Sequence, residues 1–302
     1  PQRPPVKMTP PQGLPLPPSV RSRQTAPATG AAKPAAPAGY QPLDPREFPV
    51  LTRLGRNLTD AALRGELDRV IGRDAEIDQL ADILNKRRTN NPVLIGEAGV
   101  GKTAVVEGLA QRMAGVSGTP PPGLAGKVLI EIESSRMVAG TGIRGSFAER
   151  LMDLKREVAA AGGRVIVFLD EIHQWIGMGA GGDGNADGAG ELKTALSRGE
   201  FPCVGATTHA EYAKHIESDP AFARRFQKVR IDEPSEADAA EIIRGVLDIY
   251  ARHHVVRFAD DAVDAAVTLT HRYIPDRRLP EKAVNVLDTA AARARRASEP
   301  VV

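Results

Sequence analysis

The sequence predicts an α/β protein in which a parallel sheet flanked by helices precedes a small all-helical domain. Short apolar runs alternate with helical periodicity up to Pro234, which is typical of a parallel sheet covered on both faces. Beyond Pro234 only helical periodicity remains, and before residue 50 proline and alanine are prominent. We therefore predict a disordered Pro-rich segment over residues 1–49, an α/β domain over 50–234 and a helical domain over 235–302.

Each predicted strand is a short, continuous apolar run, as expected for strands that are buried on both faces. The runs are Pro92–Ile95, Val128–Ile132, Val165–Leu169 and Cys203–Ala206, with a further run at Val229–Ile231. Apolar residues at helical spacing predict the main helices. Their ranges are Asp74–Lys86, Thr103–Met113, Phe147–Ala159, Glu236–Tyr250, Asp260–His271 and Pro280–Ala297. Asn57 or Thr59 is placed to cap another short helix, which runs through Leu63.

The N-terminal segment lacks the composition of a folded domain. Residues 1–49 contain 14 of the 24 prolines, and no acidic residue precedes Asp44. Such a segment cannot bury enough apolar surface to offset the entropy lost on ordering, so we predict an extended linker. Its five basic residues before Asp44 are either the charges of a solvated spacer or a weak tether to an acidic partner.

Bulk properties argue against several classes of protein. The net charge is only +2, so the overall charge gives no support for nucleic-acid binding. The single cysteine, Cys203, rules out an intramolecular disulfide framework and a multi-cysteine zinc site. No apolar run approaches the roughly 18 residues of a membrane-spanning helix. We therefore predict a soluble, cytoplasmic protein without a nucleic-acid or membrane partner.

The most specific motif is the sequence GEAGVGKT between a predicted strand and a predicted helix. It fits G-x-x-x-x-G-K-[ST] and consists of Gly96, Glu97, Ala98, Gly99, Val100, Gly101, Lys102 and Thr103. The glycines let the backbone wrap around phosphates at a helix N-terminus, Lys102 reaches the β- and γ-phosphates, and Thr103 binds Mg²⁺. Because the glycine order differs from the G-x-G-x-x-G of dinucleotide-binding folds, the motif predicts ATP and Mg²⁺ as ligands.

A pair of carboxylates follows another predicted strand. Asp170 and Glu171 come directly after Val165–Leu169, at the strand end where open α/β sheets bind ligands. We expect Asp170 to hold Mg²⁺ through water and Glu171 to act as general base on the attacking water. Acidic residues after a strand also serve as helix caps, but together with Lys102 this pair predicts ATP hydrolysis.

Two further groups extend the predicted catalytic site. Thr208 follows an apolar strand and is placed to hold the nucleophilic water or the γ-phosphate; the alternative is a capping threonine. Arg224 and Arg225 lie between two phenylalanines, whose rings can anchor them. In a ring ATPase such an arginine reaches the neighbour's γ-phosphate, an effect of ~10³–10⁵ in rate. The alternative for the pair is ordinary solvated charge.

Several separate stretches resemble the first ATPase ring of the Clp-type AAA+ unfoldases. They are Leu54–Thr59, Val70–Asp74, Asn91–Thr103, Phe168–His173, Gly205–Tyr212 and Ala223–Lys228. The resemblance extends from about Leu51 to Ala297. It implies a large AAA+ subdomain, a helical lid and a hexamer with ATP bound between subunits.

The resemblance also implies how the rest of the nucleotide is held. The stretch that includes Val70 and Ile71 is similar to the family segment that packs against adenine. Lys282 lies in a stretch that looks like the lid segment beside the nucleotide, so the resemblance makes it a candidate phosphate sensor.

The family's substrate-gripping loop has a counterpart with one notable difference. Its residues correspond to Gly142, Ile143, Arg144 and Gly145. Ile143 stands where disaggregases usually carry an aromatic residue, and an aliphatic branch offers less apolar contact area to a threaded chain. Some secretion-associated relatives also use an aliphatic residue there, so Ile143 weakens the case for general threading more than the case for ATP hydrolysis.

The preferred hypothesis is an ATP-hydrolysing ring module that unfolds or remodels polypeptides. Its expected partners are copies of itself in a hexamer and a polypeptide substrate or adaptor. One rival is an ATP-regulated assembly or secretion-associated scaffold without general threading. Another is a DNA-associated AAA+ machine, which the Clp-type motifs and the negative charge of the folded part disfavour.

Overall fold

The computed structural model describes residues 36–138, 145–177, 192, 194–196 and 201–297. Its strands are β1 (Gly55–Asn57), β2 (Asn91–Ile95), β3 (Val128–Ile132), β4 (Val165–Leu169), β5 (Cys203–Thr207) and β6 (Phe226–Arg230). Its helices are α1 (Pro49–Leu54), α2 (Leu58–Arg64), α3 (Asp74–Leu84), α4 (Lys102–Met113), α5 (Ser134–Val138), α6 (Gly145–Ala160), α7 (Ile172–Gly177), α8 (His209–Glu211), α9 (Pro220–Ala223), α10 (Glu236–His254), α11 (Ala262–Tyr273) and α12 (Glu281–Ala297). A π-helical turn covers Tyr212–Glu217.

The six strands form one sheet in the order β1-β3-β4-β5-β2-β6. All neighbours in the sheet are parallel except β1 and β3, which pair antiparallel. Every residue of β2, β4 and β5 is buried, as the continuous apolar runs require of central strands with covered faces. The predicted α/β fold with a parallel sheet flanked by helices is confirmed.

Two separate cores cover the two faces of the sheet. Successive residues of a strand point to opposite faces, so Val93 and Ile95 lie in one core and Leu94 lies in the other. The first core includes side chains of α1, α6 and α7, and the second includes side chains of α2, α3 and α4. The loop after β2 and the polar residues after β4 and β5 therefore emerge at one edge of a sheet that is fixed from both sides.

The three last helices have a core of their own. Ile243 of α10, Val267 of α11 and Leu287 of α12 are among its buried members. Ser235 begins this part by capping α10, because its hydroxyl oxygen accepts a hydrogen bond from the amide of Asp238 at 3.2 Å. The predicted all-helical fold of this part is confirmed. Across the described ranges, no helix combines the length and the apolar character that crossing a membrane demands.

The structure differs from the prediction at the N-terminal side of the sheet. Residues 36–49 belong to the predicted disordered segment, yet Leu43 and Phe48 are buried in the first core. The Tyr40 hydroxyl donates to the carboxylate of Asp60 on α2. The folded part therefore begins before residue 50, and residues 1–35 lie outside the described residues. Strand β1 was also missed, because a three-residue edge strand of sequence GRN has no apolar run to reveal it.

Candidate functional site

The loop Gly96–Gly101 joins β2 to α4 and has glycine where its geometry requires it. A Cβ atom on Gly96 would clash with the carbonyl oxygen of Ile231. Gly99 and Gly101 have φ values of +83° and +98°, in the left-handed region that favours glycine. The loop opens onto the N-terminus of the 12-residue helix α4, where backbone amides and the helix dipole favour an anion.

Lys102 lies inside this loop. Its side chain is buried, with the residue 8% exposed, and Nζ donates to the carbonyl oxygens of Gly96 and Glu97 at 3.0 Å each. An ammonium with three donors and two carbonyl partners is held at the concave side of the loop. This is the position from which the predicted contact with β- and γ-phosphates can be made.

Arg73 supports the loop from behind and was not predicted as a site residue. Its buried guanidinium donates to the carbonyl oxygens of Val100 at 2.8 Å and Asp232 at 3.1 Å, and it pairs with Glu76 at 2.7 Å. The loop is thereby tied to the chain that leaves β6. These contacts join residues up to 159 positions apart, so a sequence pattern offers no direct signal for them.

We expect Arg73→Ala to destabilise the folded chain and weaken ATP binding. The buried carbonyl group of Val100, the partly buried one of Asp232 and the carboxylate of Glu76 lose a charged partner, which should lower the free energy of unfolding by about 3 kcal/mol. Urea denaturation followed by circular dichroism measures this change. Arg69→Ala, at an exposed position nearby, is the matched control and should leave stability within about 0.5 kcal/mol of the parent. Equal stability of both variants would contradict the proposed support.

Asp170 and Thr103 place two oxygen donors beside the loop. Thr103 Oγ1 donates to Asp170 Oδ2 at 3.5 Å, and the other carboxylate oxygen accepts from the amide of Glu171 at 2.9 Å. Mg²⁺ prefers a few protein oxygens together with water and phosphate oxygens, so this donor set fits the ion. When bound, Mg²⁺ would neutralise phosphate charge between these two side chains.

Two more carboxylates lie close to this pair. Glu107 follows Thr103 by one helical turn, and Glu131 lies on β3; Arg56 is 3.7 Å from the first and 3.6 Å from the second. Burial raises the pKa of both carboxyl groups, and Arg56 opposes the shift. The charge of Asp170 raises the pKa of Glu131 further. Arg56 therefore compensates part of the negative charge beside the predicted Mg²⁺ site.

Glu171 occupies an uncommon backbone conformation. Its φ value is +50°, which is rare for a residue with a side chain and is found disproportionately at functional sites. The side chain is 42% exposed, and its Oε2 lies 3.3 Å from Nδ1 of His173. The structure thus places the predicted general base at the same sheet edge as Lys102, with access to solvent.

Thr208 caps a helix in this structure. Its Oγ1 accepts from the amide of Glu211 at 3.2 Å, which is the alternative role that the sequence left open. The preceding residue, Thr207, is fully buried, and its hydroxyl lies 3.0 Å from Nδ1 of His173. A role of Thr208 toward water or phosphate stays a prediction.

Arg224 and Arg225 lie at the opposite end of the strands from the phosphate loop. They directly precede β6, which pairs with β2 so that Phe226 faces Asn91 and Arg230 faces Ile95. Five paired residues place the two ends about 13 Å apart. Both arginines are exposed, and no ion pair involves either of them within the described ranges. Phe226 is buried as expected of an anchor, whereas the side chain of Phe222 lies outside the described residues.

Lys282, the candidate phosphate sensor, has its described contacts with Ile274 and Glu233, and a role toward phosphate stays a prediction. The residue is 3% exposed, and Nζ donates to the carbonyl oxygen of Ile274 at 3.2 Å and lies 3.6 Å from Oε1 of Glu233. The preceding residue, Glu281, lies against the loop, where a Cβ atom on Gly99 would clash with its carboxylate. Adjacent helical residues point about 100° apart, which explains why a shift by one position changes the contact.

Val70 and Ile71 lie between α4 and α10. A Cβ atom on Gly108 of α4 would lie 3.3 Å from Val70, and one on Gly245 of α10 would clash with Ile71. The predicted adenine segment is therefore placed between the helix of the phosphate loop and the first helix of the final core. Contact with a base stays a prediction.

The predicted substrate-gripping loop falls mostly outside the described residues. Gly142, Ile143 and Arg144 belong to the undescribed part, and Gly145 is the first residue of α6. Cys203 is fully buried on β5, and burial raises the pKa of its thiol. A cysteine buried in this way behaves as a small apolar core residue.

Two family models match the chain. One, described as an AAA ATPase domain, matches residues 69–187, and the other, an AAA lid domain, matches residues 235–300. The chaperone protein ClpB of Nitratidesulfovibrio vulgaris is 50% identical over 245 residues, and that of Rhodopseudomonas palustris is 51% identical over 246 residues. These alignments cover 81% and 82% of the chain, which spans 28% of the length of either relative.

Solved structures of a yeast protein have the same fold. A complex of Hsp104 from S. cerevisiae with casein has a TM-score of 0.74 and 39% identity, and covers 83% of this chain and 42% of the Hsp104 chain. An Hsp104–ADP complex has a TM-score of 0.76 and 40% identity over the same shares. With its AAA ATPase and lid matches and this identity to ClpB, the chain belongs to the Clp-type AAA+ family.

Proposed function

We propose that the chain binds ATP with Mg²⁺ and hydrolyses it as one module of a ring that unfolds or remodels polypeptides. The observation that carries this proposal is the meeting of Lys102, Thr103, Asp170 and Glu171 at one edge of the sheet. A phosphate loop alone predicts only binding. A carboxylate pair beside it supplies the groups that hydrolysis needs.

Each group has a defined task in this proposal. Loop amides, the α4 N-terminus and Lys102 hold the phosphates, and Thr103 and Asp170 hold the metal ion. Glu171, partly exposed, orients a water molecule and takes its proton as that water attacks the γ-phosphate. The bond from the γ-phosphorus to the bridging oxygen breaks, and ADP leaves with phosphate as the other product. Phosphoryl transfer depends mainly on positioning and charge stabilisation, which a preformed loop on a rigid sheet provides.

The arginine pair supports assembly into a ring. Arg224 and Arg225 are exposed and about one strand length from the phosphate loop of their own chain. An arginine in this position is better placed to act on a neighbouring subunit than on its own nucleotide. We therefore propose a hexamer in which each ATP lies between two subunits.

The proposal of a polypeptide substrate is based on the relatives. The N. vulgaris and R. palustris proteins are chaperones, and one Hsp104 structure contains casein. The loop that contains Ile143 lies outside the described residues, so the weaker grip expected of this aliphatic side chain on a polypeptide stays a prediction. The predicted cytoplasmic location also stays a prediction.

The test combines assembly, hydrolysis and substrate remodelling by the 302-residue chain. Mass photometry with and without ATP should show six-subunit particles that depend on ATP, and phosphate release should require Mg²⁺. Unfolding of labelled casein should follow ATP hydrolysis and should weaken in Ile143→Glu. Absence of ATP hydrolysis by assembled particles would overturn the catalytic proposal. Hydrolysis with no casein unfolding would overturn the remodelling proposal alone.

Lys102→Ala should weaken ATP binding. The lost charge-assisted hydrogen bonds to phosphate are worth about 1.5–3 kcal/mol, so the Kd for ATP should rise about 10–150-fold. Titration with a fluorescent ATP analogue measures this. Lys86→Ala removes an exposed lysine outside the site, bound to Gln227, and should leave the Kd unchanged. Unchanged affinity in Lys102→Ala would show that the loop does not bind phosphate as proposed.

A further inference from the structure

A histidine that has no assigned role lies beside Glu171, and a second one stacks on it. His173, on α7, is mostly buried, with a side chain 16% exposed. Its Nδ1 is 3.3 Å from Glu171 Oε2 and 3.0 Å from Thr207 Oγ1. Both partners are polar and both lie at the ends of central strands, so the ring is fixed between β4 and β5.

The contact with Glu171 constrains the chemistry of His173. An ionised carboxylate only accepts hydrogen bonds, so Nδ1 stabilises it only when Nδ1 carries the proton. The hydrogen bond between Nδ1 and Thr207 Oγ1 fixes the plane of the ring, and in this orientation Nδ1 lies within ion-pair distance of Glu171. The carboxylate of Glu171 is otherwise partly exposed on a flexible side chain. His173 therefore limits the directions that the general base can take.

The second histidine, His215, stacks on the first. The ring centroids are 5.9 Å apart with an interplanar angle of 28°. On its far side, Nε2 of His215 lies 3.1 Å from Oε2 of Glu211, whose amide donates to Thr208 Oγ1. A continuous series of contacts thus runs from Glu171 to Thr208.

The backbone that carries His215 is itself unusual. His215 belongs to the π-helical turn Tyr212–Glu217, a conformation that is rare and often found at functional sites. This turn leads into α9, directly before Arg224 and Arg225. A displacement at either end of this segment would reach the stacked rings.

We propose that His173 is a positioning residue that aims the carboxylate of Glu171, and that His215 couples it to the Thr208 segment. This inference rests on the proposed ATP hydrolysis, because it concerns the base of that reaction. The described contacts of His173 are with Glu171, Thr207 and His215, so we expect it to act on the rate of hydrolysis more than on ATP affinity. The competing account is a buried histidine that merely satisfies its hydrogen bonds and stabilises the fold.

Substitutions at His173 separate the ring from the donor nitrogen. His173→Phe keeps a ring that can stack on His215 but removes Nδ1, and should lower kcat for ATP about tenfold or more. His173→Asn places an amide N–H near the position of Nδ1 and should restore kcat to within about threefold of the parent. In both variants the Kd for ATP should stay within about twofold. A merely structural role would not produce this rescue by asparagine.

Substitutions at His215 test the coupling. His215→Ala removes both the stacked ring and the contact of Nε2 with Glu211, and should lower kcat about threefold. His215→Phe keeps a ring but loses that contact, and should lower kcat by a similar factor; parent activity in His215→Phe would overturn the coupling. His253→Phe, which changes an exposed histidine of α10, is the matched control. Thermal melting of each variant identifies any that fail to fold. If His173→Phe fails to fold, the kcat values of His173→Asn and of the His215 variants test the proposal.

The outcomes are distinct from those that test the proposed function. If the parent hydrolyses ATP and Glu171→Gln does not, a parent-like kcat in His173→Phe overturns this inference alone. An asparagine variant as slow as the phenylalanine variant, or a parallel loss of ATP affinity, also overturns it. If the assembled parent itself hydrolyses no ATP, the proposed function fails and the inference fails with it.

Discussion

Glu171→Gln should abolish most ATP hydrolysis while leaving ATP bound. Glutamine has nearly the same shape but cannot take a proton from water, and a positioned general base contributes about 10²–10⁴-fold. The backbone at Glu171 is strained, with φ at +50°, and remains so in the variant because the shape is kept. We expect kcat to fall at least about 100-fold and the Kd for ATP to change less than about twofold.

Phosphate release and titration with a fluorescent ATP analogue measure the two quantities on the same preparation. Glu66→Gln is the matched control, since Glu66 forms an exposed pair with Arg64, and such pairs contribute little. A Glu171→Gln variant that turns over ATP like the parent would remove the general base from the proposal. If the Kd for ATP rises by as large a factor as kcat falls, Glu171 acts in ATP binding and not as the general base.

Arg224→Ala should impair hydrolysis only in the assembled ring. The arginine is exposed and lies at the sheet end opposite to its own phosphate loop, so its loss should spare ATP binding. Arginines that reach a transferred phosphoryl group contribute ~10³–10⁵ in rate, so we expect kcat to fall about 1000-fold. Arg230→Ala, which removes an exposed arginine of β6 that pairs with Asp232, is the control and should retain parent turnover.

Mixing two inactive variants tests the trans position directly. In a ring of Arg224→Ala and Glu171→Gln subunits, some interfaces combine an intact Glu171 with an intact Arg224 from the neighbour. Hydrolysis should therefore reappear on mixing, to roughly a quarter of the parent rate if the interfaces form at random. Inactive mixed rings, confirmed as mixed by mass, would assign Arg224 to its own subunit. Parent-like turnover of Arg224→Ala alone would remove the arginine from catalysis altogether.

The parts of the fold that sequence predicts are those specified by local chemistry. Buried strands can be recognised in the sequence as apolar runs. The phosphate loop can be recognised because its backbone geometry admits only glycine at Gly96. Asn57 and Thr59 show where local reasoning ends. Asn57 caps α2 through the amide of Asp60, as one of the two options predicted. Thr59 instead accepts from the amide of Leu129, 70 residues away.

Long-range contacts account for what sequence did not predict. In the sequence Arg73 is not distinguishable from other charged residues. Its role depends on hydrogen bonds to Val100 and Asp232, which lie near it only in the folded chain. Whether Glu281 or Lys282 lies against the phosphate loop depends on the rotation of α12 about its axis. Packing against the neighbouring helices sets this rotation. Residues 36–49 have the composition of a linker, and Leu43 and Phe48 gain their burial only from the core they pack against.

The register of β2 and β6 has a consequence for stoichiometry. The phosphate loop lies at one end of the strands and the arginine pair at the other, so a trans role of Arg224 would give each subunit one side that receives an arginine and one that donates it. Head-to-tail contacts between such subunits leave one incomplete site in any open chain, whatever its length. If Arg224 acts in trans, only a closed ring gives every subunit a neighbour on both sides. The number of competent sites then equals the number of subunits in a closed ring. In every open intermediate it is one fewer than the number of subunits.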